Sequence, residues 1–495
     1  MFTPEDASDP FYHFMQPPAN ETPEETSARL KREADAQRVS DAIDEDIKQH
    51  KALAKKESHI LKVLLLGQAE SGKSTTLKNF RMQYDQAAWQ KEKDGWRTVV
   101  QLNLIRSIIT ITTLIEAELS GDVHLPFDRG SGDEEDDDDA ETSVGSNPEH
   151  DCSKFGDRHH LLMIRLAPLR TVEADLQRAL GACTEPLRRI ALPQAATPFD
   201  TPVQRGLTKR SMGEFSVRCW RDVVHPEGRE MAGKTARALA DLDTATTTMA
   251  ACKDDMRALW QDKVVQNAVS KRRIRLPDSA GFFLNQLDRI ASPDYSVTDD
   301  DIVRARLRTV GIQEYKITFK TSALDMAHGT WEWRIFDVGG CRTMRAAWLP
   351  FFENTNAIIF VSPVSCFDER LEEDCRVNRL EDSTLLWRSI CSTKLLTRTQ
   401  LILFMNKCDL LKKKLKQGVL IRNSLTSYGS RPNEATPFVK YLRDKFKEIL
   451  KVNSPEPRAS YIYPTTVTDT LATGKTLESV RDGVLRENLI KSQLM

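Results

Sequence analysis

Leu61-Lys62-Val63-Leu64-Leu65-Leu66-Gly67-Gln68-Ala69-Glu70-Ser71-Gly72-Lys73-Ser74-Thr75 decides the fold of this chain. A mostly apolar run, short enough for one buried strand, enters a loop framed by two glycines and closed by Lys-Ser. A helical pattern follows. The spacing is G-x-x-x-x-G-K-[ST] in the strand-loop-helix setting that gives this motif its meaning. Gly67 and Gly72 let the backbone wrap closely, and successive N–H groups form an anion nest at a helix N-terminus. Lys73 adds a point charge for β- and γ-phosphates, and the Ser74 hydroxyl is a candidate Mg²⁺ ligand. Glu70, Ser71, Gly72, Lys73, Ser74 and Thr75 are the expected contacts of a nucleoside phosphate.

The base is read further on. Gln400-Leu401-Ile402-Leu403-Phe404-Met405 is a second buried-strand run, and it empties into Asn406-Lys407-Cys408-Asp409. A carboxylate there can accept two hydrogen bonds from the N1–H and 2-amino edge of guanine. Adenine offers no such donor pair, so a buried Asp409 would be left unpaired against ATP. Lys407 can lay its stem over the base, and Asn406 can tie neighbouring loops together. An ATP-using P-loop enzyme is therefore disfavoured.

At 495 residues with 40% hydrophobic content, the chain can bury a full core and more than one domain. A net charge of -1 gives no basic field for nucleic acid. The 9 cysteines are scattered without a C-x-x-C pair, which fits a reducing compartment. No transmembrane segment or signal peptide is expected, so the reading is a soluble intracellular protein.

Residues 1–58 read as a flexible tail followed by a charged helix. Thr22-Pro23-Glu24-Glu25 has the form of a helix start, and the apolar residues beyond it are sparse. Residues 89–298 read as a long helical insertion, with helices over Trp96–Glu118, Leu161–Leu180 and Met231–Val269. An acidic disordered loop is expected at about 128–150, around Asp133-Glu134-Glu135-Asp136. Strands are expected at 314–320 and 331–336 as an antiparallel pair, then at 356–361, 400–405 and 460–463 between helices. Residues 59–88 and 299–495 thus make a mostly parallel, doubly wound sheet interrupted by an all-α domain.

Two further motifs fall where that architecture needs them. Trp333-Arg334-Ile335-Phe336 leads into Asp337-Val338-Gly339-Gly340, a carboxylate at a strand end followed by two glycines. Asp337 is placed to hold a water on Mg²⁺, and the Gly340 N–H to sense a γ-phosphate. Asp301 to Thr309, which includes Val303, Arg304, Ala305 and Arg306, sets arginines and a threonine at the end of the insertion.

With these residues in order, the chain resembles a divergent heterotrimeric G-protein α subunit over roughly residues 60–85 and 278–495. The resemblance implies a Ras-like P-loop GTPase domain with an inserted helical domain and an N-terminal helix. It implies GTP/GDP and Mg²⁺ as ligands, with Ser74 and Thr309 on the metal and Asp337 acting through water. Arg306 falls on the family's cis arginine finger. Asp278 and Ser279 fall in the segment that closes over the nucleotide, beside the contacts at Val303, Arg304, Ala305, Gly339 and Gly340. Val467, within Thr465-Thr466-Val467-Thr468-Asp469, falls on the loop that meets the guanine O6. The charged helix, together with Trp348, becomes a docking surface for a βγ dimer, and Arg486 to Met495 the surface for a seven-helix receptor; the effector stays unnamed.

The departures bear on mechanism. Cys341 stands where the family has the glutamine that orients the attacking water, and a thiol is too short and too weak a donor for that task. Gln68 stands where the family has a small residue, Ala69 where it has glycine, and Val467 where it has alanine. After Arg342 the family's basic run is reduced to Met344-Arg345-Ala346-Ala347 before Trp348. Phe2 replaces the glycine of a lipidation motif, and no cysteine lies near the N-terminus. The expectation is a cytoplasmic GTP/GDP switch, held at the inner face of the plasma membrane by its partners, with slow hydrolysis. The alternative is a GTP-bound interaction module with negligible hydrolysis.

Overall fold

The computed structural model describes residues 22–57, 60–120, 155–180, 216–217, 243–272, 281–309, 312–320, 330–371, 374 and 376–493. Its first unit ends at Ile60, and the second runs from Leu61 onward. Within the first unit, helix α1 spans Pro23–Glu57, starting where the Thr-Pro signal places it. The backbone N–H of Thr26 and its hydroxyl both donate to the Thr22 carbonyl, closing the first turn. Surface pairs such as Arg29–Glu33 support its length. Leu30, Val39 and Ile43 remain exposed, so this helix has no core of its own.

The second unit is organised by a six-stranded sheet. Its strands are β1 (Ile60–Leu66), β2 (Ile312–Lys320), β3 (Thr330–Val338), β4 (Ala357–Pro363), β5 (Gln400–Asn406) and β6 (Tyr461–Pro464), in the order β2-β3-β1-β4-β5-β6. β2 and β3 pair antiparallel from Ile312↔Val338 to Lys320↔Thr330. β1 runs parallel to β4, β4 to β5, and β5 to β6. Each expected strand is present, within two residues of its expected ends.

Alternation along the strands sends residues to two separate cores. Val63, Leu65, Ile359 and Phe404 pack with α2 (Lys73–Tyr84) and α12 (Thr470–Gln493) through Phe80, Leu477 and Val480. Leu64, Leu66, Phe360 and Leu403 pack with α9 (Arg379–Ser392) and α11 (Ala435–Asn453) through Trp387, Phe438 and Phe446. Every residue of β4 and β5 is buried, as parallel strands covered by helices on both faces must be. α10 (Cys408–Lys416) follows β5.

A third core lies between Trp89 and Ala305 in sequence. It is built on α3 (Gln86–Ser120), with α4 (Asp157–Leu166), α5 (Pro168–Ala179), a helical run at 243–251, α6 (Lys253–Gln261), α7 (Lys263–Lys271) and α8 (Asp299–Arg304). Three expectations change here. The helix expected over Met231–Val269 is interrupted within its described part at Cys252 and at Asp262, whose carboxylate caps the next helix by accepting the Val264 and Val265 N–H groups. The helix expected over Leu161–Leu180 is broken between Leu166 and Pro168, because Pro168 has no N–H to donate into the preceding turn and starts a new helix instead. α3 also carries the one stretch among the described residues long and apolar enough to cross a membrane, where none was expected. Most of that stretch is buried against the surrounding helices, which makes it the axis of this core. The acidic loop at 128–150 lies outside the described residues.

Candidate active site

The loop after β1 is held open by backbone geometry that few side chains tolerate. Gly72 has φ 106°, and a Cβ there would collide with the Asn406 amide. Asn406, at the end of β5, donates from Nδ2 to the Ser71 carbonyl at 2.7 Å and accepts the Val467 N–H on Oδ1 at 3.1 Å. Asn79 of α2 donates to the Val467 carbonyl at 2.9 Å. One buried asparagine therefore ties the P-loop to the loop after β6. Val467 is buried between them, with its methyl group lying against Gly72.

Lys73 is buried and donates to the Gly67 and Gln68 carbonyls at 2.9 and 2.6 Å. Burial pulls its pKa down to about 8, against the opposing pull of Asp337 and Cys341. Ser74 donates its hydroxyl to Asp337 Oδ2 at 2.7 Å, so the helix N-terminus and the end of β3 meet through two oxygens. Such a donor set suits a hard divalent cation taken partly through water. Ser71 Oγ is fully buried without a hydrogen-bond partner among the described residues, consistent with a cradle shaped around an outside anion.

The segment after β3 closes on the same loop. The Ala69 N–H donates to the Gly340 carbonyl at 3.1 Å. Any side chain at Gly340 would overlap the Gln68–Ala69 backbone and the Lys73 ammonium. Cys341, partly exposed, begins the 3-10 helix Arg342–Phe351. Trp348 is buried and its indole donates to the Gly339 carbonyl at 3.1 Å. It is therefore a strut of this segment and not an exposed docking residue, because that N–H needs a partner and the ring packs under the sheet.

Arg306 reaches the P-loop as an ion pair with Glu70, which also pairs with Arg379 of α9 at 3.4 Å. Burial opposes the Glu70 charge, but Arg306, Arg379 and Lys407 together overcome it and hold its pKa at about 2. Val303 is buried in α8, and Arg304 pairs with Asp300 at 3.1 Å. Thr309 lies on the two-residue strand Arg308–Thr309, paired with Ser216–Val217, and its side chain lies outside the described residues. Asp278 and Ser279 also lie outside them. Lys407 caps α10 in the left-handed region, with φ 64°, and its pKa is lowered by burial against the attraction of Glu70. Asp409, expected to be buried, is exposed in the first turn of α10.

Gln68, the unusual P-loop residue, has a definite role. It is buried, and its amide donates to the Arg379 carbonyl at 2.7 Å and to Asp382 Oδ2 at 2.5 Å. Asp382 also holds Arg345 through two bonds, at 3.0 and 2.5 Å. The P-loop, α9 and the segment carrying Cys341 thus share one buried carboxylate. Arg379, Asp382 and Arg345 were not anticipated from the sequence. The available signal was a charged cluster at the start of an otherwise core-forming helix, since buried charges come in pairs.

A P-loop at β1, a carboxylate at the end of β3 and Asn-Lys-x-Asp at the end of β5 of a doubly wound sheet define a P-loop nucleotide-binding protein of the guanine type. The family model described as G-protein alpha subunit matches residues 37–484, and the chain belongs to that family of GTP-binding signal-transducing subunits. It is 31% identical to the guanine nucleotide-binding protein alpha-4 subunit of Mycosarcoma maydis, over 98% of this chain and 95% of that protein. The alpha-2 subunit of Neurospora crassa is 27% identical over 89% of this chain and 93% of its own length. The alpha-3 subunit of Caenorhabditis elegans is 36% identical over 47% of this chain and 63% of its own length. Members of this family are GTPases that take GTP or GDP, typically with Mg²⁺, and the Ras-like fold with a helical insertion is the one expected.

Proposed function

We propose that this chain is a guanine-nucleotide switch that couples a seven-helix receptor to an effector and stays long in its GTP state. The observation that carries the reading is the Asn406 amide network, which joins the phosphate loop to both base-recognition loops. In this reading Glu70 to Thr75 cradle the phosphates, with Lys73 turning from its own loop carbonyls to the β- and γ-oxygens. Asp409 and the Val467 backbone read the guanine edge. Val303, Arg304 and Ala305 line the approach with Asp278 and Ser279, and residues 89–298 act as the lid domain. Magnesium, when bound, neutralises phosphate charge, with Ser74 and Thr309 as ligands and Asp337 acting through water. Arg306 leaves Glu70 to neutralise charge on the leaving oxygen. Cys341 cannot orient water as an amide does, so hydrolysis is slow.

Titration with GTP, GDP and ATP followed by single-turnover hydrolysis tests the whole. Equal affinity for ATP and GTP removes the switch reading. Selective GTP binding with no measurable turnover leaves the interaction module, which Cys341 favours.

The metal assignment has its own check. Ser74→Ala should lower nucleotide affinity in magnesium and change little in EDTA, as equilibrium binding with a fluorescent GDP analogue reads out. An equal loss in both conditions would show that Ser74 is not a ligand.

The partner assignment rests on α1 and the C-terminal helix. A βγ dimer would dock on α1, and a receptor on the end of α12; attachment at the inner membrane face would follow from those partners. Deleting residues 1–50 should lower βγ co-purification at least about tenfold, the scale of a lost hot spot, with GTP binding intact. Undiminished capture would make α1 a solvated extension. Arg345 is buried against Asp382, and alanines follow it at 346 and 347, so little basic surface remains there for βγ.

A further inference from the structure

Arg306 leaves a backbone that is clamped by side chains from two other helices. Asn103, in the middle of α3, accepts the Arg306 N–H on Oδ1 at 2.7 Å and donates from Nδ2 to the Arg306 carbonyl at 3.0 Å. One carboxamide thereby pairs both main-chain groups of one residue. Gly281 closes the other side: it has φ 80°, donates its N–H to the Arg304 carbonyl at 2.9 Å, and leaves no room for a Cβ beside Asn103 and Arg306. From α2, buried Lys78 donates to the Ile302 and Ala305 carbonyls at 2.9 and 2.7 Å. Its Nζ sits 4.3 Å from the Trp96 ring centroid. The Lys78 amine thus closes the C-terminal end of α8 just before Arg306 begins.

We propose that Asn103 is a positioning residue for Arg306, with Lys78 as the support that keeps the end of α8 in place. The inference rests on the reading of Arg306 as the group that neutralises transition-state charge. A long arginine amplifies any rotation of its own peptide plane, and a misplacement of about 1 Å can cost ~10² in rate. Two hydrogen bonds to both sides of one residue remove that rotation. The residue chosen fits the task and not the helix. Asn103 is a polar side chain within the apolar core of α3, between Leu102 and Leu104. Burying it costs free energy unless its donor and acceptor are both paired, and Arg306 pairs both. The long helix of the insertion therefore contributes to the chemistry as well as to the cover over the nucleotide.

A double-mutant cycle on single-turnover GTP hydrolysis tests this, with GDP affinity measured on the same proteins. Asn103→Ala should slow hydrolysis roughly tenfold, below the ~10² of a full ångström of misplacement, with GDP affinity within about twofold. In the Arg306→Ala background it should slow hydrolysis no further, because the group it positions is gone. Slowing by the same factor in both backgrounds, or no slowing in the wild-type background, overturns the positioning role alone. If Arg306→Ala itself leaves the rate unchanged, the reading of Arg306 falls and this inference falls with it. Should Asn103→Ala fail to fold, the isosteric Asn103→Asp carries the same cycle, since it keeps the acceptor and loses the donor.

Discussion

Asp409→Asn is expected to lower affinity for GTP and GDP by about 10³ and to confer binding of xanthosine nucleotides. The carboxylate would accept two hydrogen bonds from guanine, and bonds to a charged group contribute roughly 1.5–3 kcal/mol each. Losing that pair corresponds to ~3–6 kcal/mol, of which the asparagine oxygen recovers part. The xanthine 2-oxygen asks for a donor, which the new amide provides. The variant should fold normally, since Asp409 is exposed at the start of α10 while Asn406 and Val467 hold the loops together. Its exposure also places the discrimination in the complex: the carboxylate becomes desolvated only when a base covers it. Competition binding with GTP, ATP and XTP reads this directly. An unchanged GTP preference would remove Asp409 from base recognition.

The parts of the site legible in the sequence are those whose chemistry is local. Gly67 to Ser74, Asp337 to Gly340 and Asn406 to Asp409 each follow a strand, and an apolar run ending in polar residues with fixed spacing is readable without any partner. What stayed hidden depends on contacts across hundreds of residues. Gln68 meets Asp382 across 314 positions, Asn103 meets Arg306 across 203, and Lys78 meets Ala305 across 227. Each left only a weak trace, a polar residue in an apolar setting, which says that a partner exists but not which one. Trp348 misled for a related reason: a tryptophan after a basic segment reads as a surface anchor until its N–H is found on Gly339. The break at Pro168 was local and readable, but helical spacing on both sides concealed it.

Cys341→Gln is expected to raise single-turnover GTP hydrolysis at least tenfold, toward the ~10²–10³ that one oriented donor contributes in a dry site. Most of the surrounding geometry is in place. Gly340 lies against Ala69, Trp348 braces Gly339, and Arg345 is locked to Asp382, so the segment that would carry the glutamine is already docked on the P-loop. Cys341 itself is partly exposed at the start of a 3-10 helix. The neighbour to test is Ala69, whose backbone N–H is bonded to Gly340 and whose methyl stands where the resemblance implies glycine. If that methyl crowds the attacking water, Cys341→Gln alone should fall short and Cys341→Gln with Ala69→Gly should exceed it by more than the sum of the single effects, as coupled neighbours do. Failure of both variants to accelerate hydrolysis would mean that the slow step lies elsewhere, and the proposed basis of a long-lived GTP state would be lost.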